Sequence, residues 1–124
     1  MKEIGIIKLE DLTIHEKVNY FTLICHAIMR MDSNNLFDLL DDDIDYEDIG
    51  KTSFVLKLKN RFIEHQIMGD TELKLDLDHC LGCNCDQPVC RFIGNNSKNE
   101  FALFFDIKEN RIVDIYHCQL YGDL

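Results

Sequence analysis

The side chains able to hold a metal, pass a proton or attack a carbon are unevenly spread along this chain. The segment His79–Cys90, HCLGCNCDQPVC, carries Cys80, Cys83, Cys85 and Cys90, four of the six cysteines. Cys80-x2-Cys83 has the bite of a zinc knuckle, and four thiolates could close a tetrahedral zinc site, with His79 or Cys118 as substitutes. No second CxxC is present, so a standard zinc ribbon is excluded. Three readings stay open: zinc on Cys80, Cys83, Cys85 and Cys90; a redox-active hairpin with Cys90 bonded to Cys80 or Cys83; and a loop of free thiols. Cys25 falls on an apolar helical stripe and reads as packing.

Two further groups qualify. His117 alternates with Val113 and Ile115 on a mainly apolar strand face, where a neutral imidazole could orient a ligand or act as acid or base. Its neighbour Cys118 points to the opposite face of a regular strand, so the two cannot form a nucleophile pair. The acidic run Asp38–Asp48 begins like a calcium loop at Asp41. Its sixth position is Tyr46 where glycine belongs and its twelfth is Thr52 where a bidentate glutamate belongs, so the match fails. Asp41 to Asp43 read as a solvated connector.

The elements that must position these groups follow from periodicity. Thr13 and Glu16 form a capping box, and Ile14, Val18, Phe21, Cys25 and Ile28 recur at helical spacing to about Met31. Asp32-Ser33-Asn34-Asn35 stops that helix and can cap a short second one, LFDLL. A third helix follows Gly50-Lys51, with a stripe of Phe54, Leu58 and Phe62, and ends at Gly69. The period then changes from helical to alternating. TELKLDLDHC places Leu73, Leu75 and Leu77 on one face. VCRFIG, EFALFFDI and RIVDIYHCQLY complete four strands, the last two joined by a hairpin. Helices followed by an antiparallel meander predict an α+β layer fold. In the third strand both faces are apolar, Ala102 and Phe104 lying opposite Phe101, Leu103 and Phe105. A second copy covering the outer sheet face, hence a homodimer, is expected.

The totals narrow the function. With 124 residues the chain is expected to form a single domain, 1–124, large enough to fold without metal or disulfide. A net charge of −10, from 13 basic and 23 acidic side chains, argues against nucleic acid and against acidic membranes as partners. The N-terminus lacks the pattern of a secretory signal and no apolar run approaches the roughly 20 residues of a membrane span, so a cytoplasmic location is expected.

The layout resembles the nuclear-transport-factor-2-like superfamily, which includes ketosteroid isomerase and the SnoaL-like cyclases. LFDLLDDDIDYEDIGK and FDIKENRIVDIY carry the likeness, which covers nearly the whole chain. The resemblance implies a cystatin-like cone: helices packed on a curved, mainly antiparallel sheet, with a small-molecule pocket between them. It implies pocket walls at Ile24, Phe54, Leu58, Phe62, Ala102, Ile115 and Gln119. It also places Asp48, with one residue deleted, at the family's general base. The isomerase's oxyanion tyrosine and its protonated aspartate fall on Ile24 and Ala102, so ketosteroid isomerase activity itself is not expected. The resulting expectation is a small-molecule-binding protein, open to acid–base chemistry of isomerase, cyclase or dehydratase type at Asp48 and His117. The alternatives are a zinc or thiol module built on the cysteine hairpin, or a protein-interaction domain.

Overall fold

The computed structural model describes residues 14–78, 89–109 and 111–117. In chain order they form α1 (Ile14–Met29), α2 (Ser33–Leu39), a 3-10 turn (Tyr46–Asp48), α3 (Lys51–Ile67), β1 (Leu73–Asp78), β2 (Val89–Gly94), β3 (Glu100–Lys108) and β4 (Arg111–His117). The strands pair antiparallel in the order β1-β2-β3-β4, so the fold is α+β with an open meander. No helix among the described residues is long and apolar enough to cross a membrane.

The helix ends explain how the helices are cut. At the end of α1 the N–H of Met31 donates to Ile28 O and that of Asp32 to Ala27 O, both at 2.9 Å, a Schellman closure with Met31 at φ 55°. The Asp32 side chain then accepts from the N–H of Asn35 at 3.1 Å, capping α2. One residue therefore closes a helix and opens the next. The same closure ends α3: Gly69, at φ 90°, donates to Gln66 O and Asp70 to His65 O. The Thr13 cap expected for α1 lies outside the described residues.

Alternation along the strands builds the core. Cys90 and Phe92 of β2, with Phe101, Leu103 and Phe105 of β3, pack against the helical stripe of Ile24, Ile28, Phe54, Leu58 and Phe62. Leu73 is buried, but cover fades along β1, leaving Leu77 61% exposed. On the other face Arg91 bridges Asp76 at 3.0 Å and Glu100 at 2.8 Å. Within the single chain Ala102 is buried and Phe104 is 8% exposed.

One buried polar cluster interrupts the apolar core. The Schellman turn after α3 folds Asp70 back beside His65, whose Nδ1 lies 2.6 Å from Asp70 Oδ2, both side chains fully enclosed. The other end of the carboxylate reaches the β2–β3 turn. Oδ1 accepts the backbone N–H groups of Asn96 (2.8 Å) and Ser97 (2.7 Å), and Oδ2 accepts the Ser97 hydroxyl at 2.7 Å. Burial pushes this carboxyl up, but the bonds from Ser97, His65 and Asn96 outweigh it and hold Asp70 well below the usual carboxylate range. Gly94 makes room: a Cβ there would lie 2.0 Å from Asp70 Oδ2.

Asp70→Ala, which strands the donors of His65, Asn96 and Ser97, is expected to lower the unfolding free energy by about 3 kcal/mol in urea titrations. Gly94→Ala keeps those donors but displaces the carboxylate, and should cost a comparable amount. Because the folded state holds Asp70 ionised below its unfolded value of about 3.9, its contribution is complete above that pH. It is lost as pH falls through the folded value, so wild-type stability should drop on acidification more steeply than that of Asp70→Ala.

Candidate functional site

The stretch between α2 and α3 looks like a solvated connector in sequence, yet it carries the most constrained backbone in the described chain. Tyr46 is buried, its ring stacked on Phe54 at 5.5 Å, and its hydroxyl oxygen accepts the N–H of Asp41 at 3.0 Å. Around this anchor the chain turns through Glu47 at φ 54° and Asp48 at φ 61°, then Gly50 at φ 88°. Left-handed conformation costs an L-residue roughly 1–2 kcal/mol, so two successive non-glycine positions are a strain that other contacts must offset.

The offsetting contacts converge on Glu47. Its N–H donates to Asp114 Oδ1 at 2.9 Å. Its side chain, 9% exposed, accepts Lys57 Nζ on Oε1 at 2.8 Å, while Oε2 takes the backbone N–H of His117 at 2.6 Å and stands 3.0 Å from His117 Nδ1. Burial pushes the Glu47 carboxyl up, but Lys57 and the two His117 contacts prevail and hold it below its ordinary value. Part of this is architectural: β4 ends the sheet as described, and a carboxylate that occupies the outward N–H of His117 blocks further strand pairing there.

The remainder faces an open depression of about 510 Å³ lined by Glu47, Asp48, Ile49, Lys57, Asp114, Tyr116 and His117. A β4 irregularity aims these groups. Asp106 pairs with Asp114 and Ile107 with Ile112, so Val113 is an extra residue. His117 consequently shares its face with Ile115 and, across the extra residue, with Ile112. Tyr116 points to the other face, stacked on Phe104 at 4.9 Å, so the cavity wraps the edge of β4 that no described strand pairs with.

Of the residues singled out from sequence, Asp48 and His117 are brought to one cavity. Ile24, Phe54, Leu58, Phe62 and Ile115 pack into the core rather than line it, Ala102 is buried on the opposite sheet face, and Gln119 lies outside the described residues. Cys90 is buried against the helix layer as a core side chain. Cys80, Cys83 and Cys85 lie outside the described residues, among which no group of three or more metal-binding side chains is found. Glu47, Lys57 and Asp114 escaped the sequence reading. The available signal was slight: Glu47 is the lone glutamate in a run of aspartates, directly after the tyrosine that anchors the turn.

No protein-family model, curated protein or solved structure matches this chain, so the site has to be read from its own chemistry.

Lys57→Met removes the cation that opposes burial at Glu47. The Glu47 carboxyl is then expected to titrate at a higher pH than in wild type, observable by carbon NMR of the side chain. The stability that depends on its ionised form should correspondingly begin to fall at a higher pH on acidification. An unchanged titration would show that His117 alone sets the ionisation of Glu47.

Proposed function

We propose that this chain binds a small molecule at the outer edge of β4 and moves protons on it through His117. The observation that carries this reading is the Glu47–His117 contact: a partly buried carboxylate facing Nδ1 of an imidazole that lines a cavity. An ionised carboxylate there favours a proton on Nδ1, and in the neutral form of such a ring Nε2 is a lone pair able to take and return a proton. The same orienting logic operates wherever a carboxylate fixes a catalytic histidine. Neither serine, threonine nor cysteine lines the cavity among the described residues, so the arrangement favours proton transfer over covalent attack.

Asp48 supplies a second acid–base group on the same wall. Two such groups suit reactions that lift a proton from one atom of a molecule and deliver one to another, as isomerisation, cyclisation and dehydration do. The nuclear-transport-factor-2-like resemblance belongs to this proposal. It is supported by helices preceding an antiparallel meander and by Asp48, the family's base position, lying on the cavity wall. The cone shape is the finer part of that proposal.

Nitrogen NMR of the imidazole tests the role of Glu47 directly. The wild-type ring is expected with its proton on Nδ1. Glu47→Leu should release it toward the Nε2–H form that an unconstrained histidine favours. A wild-type ring already protonated on Nε2 would sink the proposal without any variant being needed.

A further inference from the structure

The groups around the cavity are complementary to a particular kind of ligand. With Nδ1–H directed at Glu47, the His117 ring in its neutral form presents an acceptor at Nε2. The Asp48 carboxylate has no hydrogen bond or ion pair among the described residues. Asp114 commits Oδ1 to the N–H groups of Glu47 and Ile115, leaving Oδ2 without a described partner. Lys57, the one lysine or arginine on the wall among the described residues, is bound to Glu47. What faces the cavity is thus rich in acceptors and in negative charge, within a chain of net charge −10. An incoming anion would meet repulsion, and a group rich in N–H donors would meet partners.

The remaining wall is apolar and flat. Ile49 is 44% exposed and Tyr116 37% exposed, and both border the same depression. Tyr116 is held by its stack on Phe104, so one ring face is fixed in orientation. Such a ring offers an aromatic partner to a flat ligand and a negative quadrupole to a cation. A volume of about 510 Å³ accommodates a ligand of small-metabolite size.

We propose that the cavity takes a small arylalkylamine, its ring against Tyr116 and Ile49 and its ammonium among Asp48, Asp114 and His117 Nε2. This rests on the reading of the cavity as a ligand site, and it names the substrate class on which His117 acts. The ammonium matches three acceptors with three donors, and His117 is the group that could draw off one of its protons.

The test compares 2-phenylethylamine with its anionic counterpart phenylacetate and with propylamine, by NMR titration of the labelled full chain at low salt. Expected are shift changes confined to residues 46–49, 57 and 114–117 for 2-phenylethylamine, with phenylacetate at least about tenfold weaker. Propylamine and the Tyr116→Leu variant should each lose about threefold through the missing ring contact. Asp48→Asn should lose about threefold, an effect that vanishes in high salt. Phenylacetate binding as tightly as the amine, shifts scattered over the surface, or an Asp48→Asn affinity equal to wild type would each overturn the assignment. The tautomer of His117 is measured without ligand, so the two proposals fail separately. An Nδ1–H ring with no amine binding removes the amine alone, whereas amine binding beside an Nε2–H ring removes the proton transfer and keeps the ligand.

Discussion

The Asp70 carboxylate is the contact on which the rest of the structure hangs. It is enclosed, ionised, and divided between two elements that have no covalent reason to meet: the last turn of α3 through His65, and the β2–β3 turn through Asn96 and Ser97. An apolar core of leucines and phenylalanines can slide or repack at little cost, because dispersion and burial are non-directional. Hydrogen bonds to a buried carboxylate cannot, since a displaced donor is left without water to replace its partner. Asp70 therefore sets where α3 lies along the sheet. Glu47 repeats the device at the other end of the helix, between Lys57 of α3 and His117 of β4. In both clamps a histidine ring meets the carboxylate through Nδ1. At the Asp70 end the ring is sealed in and its Nε2 has no described partner, whereas at the Glu47 end the imidazole borders a cavity.

That difference in surroundings separates structural chemistry from candidate functional chemistry. The His65 pair has the shorter contact and the deeper burial, but a reactant could reach neither group. The His117 pair is looser, and its ring lines a space large enough for a small molecule. Two successive left-handed residues hold the carboxylate there, and such strain is tolerated where surrounding contacts over-determine the position.

Much of the scaffold could be read in advance. The boundaries of α3 follow from the Phe54, Leu58, Phe62 stripe and from Gly69, and the four strands from alternation, because these are local consequences of periodicity. Half of the site was legible as well: His117 stood out as an imidazole on an apolar strand. Its partner did not, for two physical reasons. Glu47 is hidden among solvated aspartates whose side chains carry the same charge, and the turn that buries it depends on Tyr46 packing against Phe54. The extra residue at Val113 also breaks the two-residue alternation by which faces are assigned. Spacing alone groups Cys90 with its sequence neighbours, whereas strand register buries it on the face shared with Leu103 and Phe105.

The meander has a consequence for the order in which the molecule assembles. Each strand pairs with the next along the chain, so β2, β3 and β4 can add by closing short loops, at small entropic cost. The contact between Glu47 and His117 spans 70 residues and needs α3, the strained turn and the last strand all in place. Loop closure over that separation makes it a contact expected to form among the last. A chain that has formed its sheet but not finished docking its helices would hold His117 without its carboxylate. The proposed proton transfer at this edge would then require a completed fold, and partly assembled chains would be silent.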